Sequence, residues 1–229
     1  MVHCSHFKSS TLKSMTPAAG HRRPQDGKSG QARTRLARAA VVQAARTLFA
    51  ERGYAGTTIE AISELSDVPP ATVYRLFSSK LGILKAVLDV SVVGDDHAVA
   101  MLDRPQVRAL VSDEDPKEQL AGFAALLREV MARAAPMHRI LADAARSDED
   151  AASLLAQLGR QRQEGQRRIA RSLARSGALR PGLRERDAAD VIYALASPEV
   201  YGLLVFDRGW SAERYEKWVN AILIDQLLS

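Results

Sequence analysis

The residues of this chain best suited to chemistry fall between Thr57 and Lys80, and what they suit is recognition of a polyanion. From Pro70 to Phe77 a short helical stretch turns Ala71, Thr72, Tyr74 and Arg75 to its outer face, with Val73 and Phe77, four apart, facing inward. An arginine fork reads a guanine edge, an alanine meets a thymine methyl, and hydroxyls and ammonium groups hold phosphates. Arg75 and Ala71 are therefore candidate base contacts, and Thr72, Tyr74 and Lys80 candidate phosphate contacts. Lys80 opens a further helix, whose free backbone amides add to the attraction for an anion.

Bond-making chemistry has no comparable anchor. No Ser, His and Asp set has a compelling spacing. Gly27-Lys28-Ser29 echoes a phosphate-binding loop, but that motif needs a glycine at position 22, which is Arg22, and a preceding strand. His3, Cys4 and His6 could crowd a metal but have no fourth ligand. The expectation is a protein that is not an enzyme, with no catalytic residue, metal or cofactor. Cys4 is the only cysteine, so no intrachain disulfide can form, and a reducing cytoplasm fits. No run of about 18 apolar residues stands out, so no membrane span is expected.

Charge is distributed unevenly. Residues 1–80 carry 12 Lys or Arg against 5 Asp or Glu, whereas residues 81–229 carry 20 against 22. A positive first third suits nucleic acid, and a near-neutral remainder suits packing, pairing or ligand binding.

The elements that must position these residues are helices, since no strand pattern or repeat is present, and the fold class is all-α. Residues 1–30 read as a disordered basic arm, poor in apolar residues and holding one acid, Asp26. From Thr34, Val41, Ala44, Ala45, Leu48 and Phe49 mark one helix face, ended near Arg52 by Gly53. Thr57 and Glu60 have capping-box spacing, opening a helix that buries Ile59, Ile62 and Leu65. Asp67 and Val68 form a turn, Pro69 the non-helical lead-in, and Pro70 the first residue of the next helix. Ser79 caps a fourth, carrying Ile83, Leu84, Val87 and Leu88. Helical segments are expected near 117–134, 137–146, 149–176, 186–207 and 212–228, with a break at Pro136 and a kink at Pro198. The arginine-rich run from Arg160 to Arg171 reads as the solvated face of a long helix.

The stretch AARTLFAERGYAGTTIEAISELSDVPPATVYRLFSSKLGIL, Ala44 to Leu84, resembles the DNA-binding domain of the TetR family of transcriptional regulators. Leu48-Phe49, Gly53-Tyr54, Thr57-Thr58, Ile62, Val68, Thr72, Tyr74, Phe77 and Lys80 carry the likeness. It departs at Ser66-Asp67, where the family usually has Ala-Gly, and at Pro69, where it usually has a hydroxyl or charged residue. The resemblance implies a three-helix DNA-binding domain over 31–80, with its helix-turn-helix at about 58–77, and a larger helical domain over 81–229 for effector binding and dimerisation. It implies that Thr57, Thr58, Thr72, Tyr74 and Lys80 lie at the DNA, with Pro70, Ala71 and Arg75 against bases.

Residues 181–228 resemble, more weakly, the last two helices of family members, which pair across a dimer axis. Val191, Leu195, Tyr215, Trp218, Val219, Ile222 and Leu223 are the expected interface. The middle of the chain would hold an effector pocket, with Phe123, Leu127, Met131 and Leu155 as candidate lining residues. The implied partners are double-stranded operator DNA, a second copy of the chain and a small-molecule effector of unknown identity; no membrane partner is implied. The function expected is a ligand-responsive repressor on a palindromic operator, with activation, or a helical small-molecule binder without DNA binding, as alternatives.

Overall fold

The computed structural model describes residues 25–94 and 105–229. Ten α-helices follow one another among these residues: α1 (Gln25–Arg52), α2 (Ile59–Ser66), α3 (Pro70–Phe77), α4 (Lys80–Val93), α5 (Pro105–Val111), α6 (Pro116–Ala144), α7 (Glu149–Arg175), α8 (Glu185–Leu195), α9 (Pro198–Tyr201) and α10 (Ala212–Leu227). The fold is all-α. Of the expected basic arm, residues 1–24, with His3, Cys4 and His6, lie outside the described residues. Residues 25–30 are already helical, so α1 starts nine residues before the predicted Thr34.

Most helix starts are capped by the side chains that favour them. Ser79, Asp115, Asp148, Ser197 and Ser211 each accept a backbone N–H from the first turn of the helix they precede, each such cap contributing about 1 kcal/mol. At α2 the cap is Thr58, whose Oγ1 accepts from the Ala61 amide at 3.1 Å, and not Thr57 as the spacing suggested. Gly53, at φ +67°, ends α1 as expected.

Pro136 does not break the chain; it sits inside a continuous α6. An internal proline costs about 3 kcal/mol, here offset by burial on either side of it, with Ala134, Ala135, Met137 and Leu141 all in the core. At the other predicted kink the helix does end: α8 stops at Leu195, Ser197 caps α9, and Pro198 takes the first helical position that suits it. A π-helical turn over Gly202–Asp207 follows. Helix α5 was not foreseen.

Two apolar cores share the long helices. The first joins α1–α4 and continues onto Met137, Leu141 and Ala144 of α6 and Ala151 and Leu154 of α7. The second joins the N-terminal half of α6, the C-terminal half of α7, and α8–α10. The first core thus runs past residue 80, with α4 seated on both α1 and α6. Helix α4 is consequently a rigid link between the helix-turn-helix and the rest of the molecule.

Candidate nucleic-acid interface

Helices α2 and α3 meet through a turn that the sequence builds with unusual residues. Asp67 takes the left-handed conformation, at φ 53°, which Asp tolerates better than most side chains. Ser63 donates from its buried Oγ to the Val68 carbonyl at 2.6 Å, closing the turn from inside. Pro69, at φ −55° and ψ 142°, is extended and delivers Pro70 into the first position of α3. Ser66-Asp67 and Pro69, where the chain leaves the family pattern, thus keep the geometry.

Val73 and Phe77 are buried beneath α3, and Pro70, Ala71, Tyr74 and Arg75 are exposed along its outer side, with Thr72 half-buried. Tyr74, at 48% exposure, is a large ring standing in solvent. Thr58 is exposed at the start of α2. These side chains form one accessible surface of hydroxyl, small and cationic groups. Leu65, predicted inward, is 54% exposed instead: Ile59, Ile62 and Ser63 already fill the buried face of the two-turn helix.

Thr57 is not part of that surface. It is fully buried, its hydroxyl 3.1 Å from the Leu48 carbonyl and 2.8 Å from that of Gly53, so the side chain ties off the C-terminus of α1 and cannot reach DNA. Lys80 has also taken up structural duty. Its Nζ donates to the Tyr54 carbonyl at 2.8 Å and the Thr57 carbonyl at 2.9 Å, and lies 4.3 Å from the centre of the Tyr54 ring. Burial pushes its pKa below the ordinary lysine value, against the pull of Asp148. Of its three N–H donors, one is left for a phosphate. Sequence spacing could not expose this role, because the two carbonyls come from 26 and 23 residues away.

The α3–α4 turn is tight. Ser78 has φ 63°, and the Ser79 amide donates to the Phe77 carbonyl at 2.8 Å, a strained γ-type turn. Gly82 packs against the same carbonyl: a Cβ there would lie 2.1 Å from the Phe77 oxygen. Arg38 of α1 closes the far side, its guanidinium 4.7 Å from the Phe77 ring centre and donating to the Leu76 carbonyl at 3.4 Å. The position of α3 is therefore tied to α4 and α1 as well as to α2.

At its other end α4 lines a cavity of about 470 Å³, with Leu88, Val92 and Val93 facing Val130, Met131, Ala134 and His138 of α6 and Leu158 and Arg162 of α7. A more open cleft of about 620 Å³ adjoins it, lined by His138, Leu155, Gly159, Arg160, Arg162 and Tyr193 among others. Of the predicted lining residues, Met131 borders the first and Leu155 the second. Phe123 and Leu127 border neither and are buried in the second core. Arg162 was expected on a solvated face but is half-buried at the seam between the two spaces, while Arg160, Arg167, Arg168 and Arg171 are exposed as predicted.

Toward the C-terminus, Tyr215, Val219 and Leu223, with Leu227, are fully buried against the chain's own second core. They recur every fourth residue and form the inner line of α10, which removes them from the expected dimer face. Trp218 and Ile222, and Val191 and Leu195 on α8, stay half-buried. The stretch Glu185–Asp207 is, against expectation, long and apolar enough by composition to cross a membrane, with mean hydropathy 1.4 in its most apolar window. Only 33% of that window is buried, and Leu203 (55% exposed) and Phe206 (40%) lie at its end.

Residues 41–87 match the family model for bacterial regulatory proteins of the tetR family. The match runs from Val41 in α1 to Val87 in α4, so this part of the chain is similar to the DNA-binding domain of that family. No curated protein matches it. Among solved structures, the SmeT–triclosan complex superposes with a TM-score of 0.65 at 19% identity, covering 84% of this chain and 92% of that one; SmeT is the repressor of the Stenotrophomonas maltophilia multidrug efflux pump SmeDEF. Native NalD, secondary repressor of the MexAB-OprM multidrug efflux pump in Pseudomonas aeruginosa, gives 0.64 at 19%, with 85% and 98% covered. FadR from Bacillus subtilis, in complex with stearoyl-CoA, gives 0.62 at 18%, with 82% and 97% covered. At these identities the likeness is one of fold, and it extends over the TetR-type larger domain as well as the helix-turn-helix. The chain thus carries a TetR-type helix-turn-helix on the overall fold of TetR-type regulators.

Proposed function

We propose that the protein is a ligand-responsive repressor that binds a palindromic operator as a homodimer. The observation that carries this reading is the outer face of α3, where Pro70, Ala71, Tyr74 and Arg75 stand exposed on a helix whose inner side is locked by Val73 and Phe77. Such a face fits a major groove, with Arg75 and Ala71 at base edges, Pro70 close to them, and Thr58, Thr72, Tyr74 and the spare Lys80 donor at phosphates. Two copies would read half-sites about one turn, roughly 10 base pairs, apart.

A second copy would cover the apolar surface left by Val191, Leu195, Trp218 and Ile222 on α8 and α10, which the chain's own core covers only in part. The effector would occupy the cavity bordered by α4, α6 and α7. Helix α4 couples the two sites, since its start is packed on α3 through Gly82 and held to the α1–α2 connection by Lys80, and its end forms the cavity wall. An occupant that displaces Leu88 and Val92 moves α3, and effector and operator then weaken each other's binding by the same factor. Ligand complexes among structural relatives, triclosan in SmeT and stearoyl-CoA in FadR, support a ligand-binding role.

Selection of bound fragments from genomic DNA tests this. The purified protein should return an inverted repeat with half-sites about one helical turn apart. Binding no tighter than to random duplex, with and without small molecules, would overturn it.

A further inference from the structure

Arg162 is a feature of the larger domain that neither packing nor the DNA interface accounts for. It sits where the 470 Å³ cavity and the 620 Å³ cleft meet, both spaces being bordered by His138, Gly159 and Arg162. Its guanidinium lies 4.0 Å from the Tyr193 ring centre, and one nitrogen donates weakly to the Tyr193 and Ala196 carbonyls at 3.3 and 3.4 Å. The Ala196 carbonyl already receives a shorter bond, 3.2 Å, from Nε2 of Gln166. No carboxylate among the described residues stands within ion-pair distance of Arg162, although Arg128, Arg139, Arg171 and Arg184 each have one.

A half-buried cation without a counter-ion is costly, and proteins usually supply a partner. The acids nearby do not serve. Asp89 borders the apolar cavity but is paired with Lys85 at 2.6 Å. Glu199 borders the open cleft and faces His138 at 3.9 Å. Around the seam the cleft adds Arg160, and Arg146 in an exposed pair with Asp143 at 3.7 Å, so the cations of its lining outnumber its one acid, Glu199. On the other side the walls are Leu88, Val92, Val93, Val130, Met131 and Leu158.

Resting on the effector-cavity reading above, we propose that the effector is an amphipathic acid whose anionic group pairs with Arg162 at the seam and whose apolar body fills the space between α4, α6 and α7. A planar guanidinium offers two parallel donors to a carboxylate. The two weak carbonyl bonds are what it gives up, and one of those carbonyls keeps its Gln166 partner.

The test is calorimetric titration of the full chain with octanoate, decanoate and dodecanoate beside the matched primary alcohols and amines, with operator release read by fluorescence anisotropy. The tightest acid should bind at least about tenfold better than its alcohol and outcompete the amine, a tenfold ratio being about 1.4 kcal/mol. In a folded Arg162→Gln variant acid and alcohol should bind alike, and Arg162→Lys should recover part of the preference. Equal binding of acid and alcohol to the parent protein, tighter binding of the amine, or an acid preference that survives Arg162→Gln overturns the proposal and leaves the cavity reading standing. If no member of any series binds, or if filling the cavity with Met131→Trp leaves all affinities unchanged, the cavity reading falls and the proposal with it. The acid–alcohol comparison in the parent protein decides the matter even where a variant fails to fold.

Discussion

Replacing Lys80 by methionine separates two roles that the sequence merges. The substitution keeps the apolar stem and removes the ammonium that holds the Tyr54 and Thr57 carbonyls at 2.8 and 2.9 Å. A hydrogen bond from a charged donor contributes about 1.5–3 kcal/mol. The lysine's own desolvation penalty disappears in return, so the net loss should be about 1–2 kcal/mol. For a chain of this length each kcal/mol moves Tm by roughly 2–4 °C. Differential scanning calorimetry should therefore show Tm lower by about 2–8 °C. Operator affinity should fall on every sequence alike, with the salt dependence of binding shallower by about 0.9 for each phosphate no longer neutralised. A Tm within about a degree of the parent, alongside reduced DNA affinity, would refute the clamp and leave Lys80 a phosphate ligand alone.

Three further outcomes follow from the same geometry. Gly82→Ala, whose Cβ would meet the Phe77 carbonyl at 2.1 Å, should cost at least about 2 kcal/mol by urea unfolding and abolish operator binding, because the α3–α4 turn must open. Burial holds the His138 imidazole below the ordinary histidine pKa, with Glu199 opposing and Arg162 reinforcing. As pH falls through about 6.5 the unfolded chain gains a proton that the folded chain refuses until lower pH, so stability is lost over that interval; His138→Gln should unfold with a visibly smaller change in urea midpoint between pH 7.5 and 5.5. Ile222→Glu places a charge on the proposed pairing face without disturbing the buried line of α10, and sedimentation at micromolar concentration should then report one chain where the parent reports two.

Local rules made much of the fold legible, because the helix starts and stops are written in single residues. Gly53, Asp67, Pro69, Pro70 and Ser79 each take the conformation their chemistry favours, and the buried face of α1 follows its apolar period. Local chemistry fell short where distant segments decide. Thr57 has the composition of a cap, but the carbonyls of Leu48 and Gly53 claim its hydroxyl, and the cap passes to Thr58. Pro136 reads as a break, yet α6 crosses it because both cores hold that helix. On α10, Tyr215, Trp218, Val219, Ile222 and Leu223, which fall on two sides of the helix, were all expected at a pairing face. Instead Tyr215, Val219, Leu223 and Leu227 serve the chain's own core, and period alone cannot say which line faces inward. At the site, the exposed face of α3 could be read from spacing, whereas the cavity depends on how α4, α6 and α7 pack. Arg162 looked like one more arginine in a solvated run.

The most direct measurement compares base preferences of the parent protein and Arg75→Ala across a randomised half-site library. With Arg75 at a guanine edge, the variant should fold with unchanged Tm and lose about 1–3 kcal/mol of discrimination at one position of each half-site, the others keeping theirs. An unchanged preference profile in a variant of undiminished stability would contradict the reading of DNA by the outer face of α3.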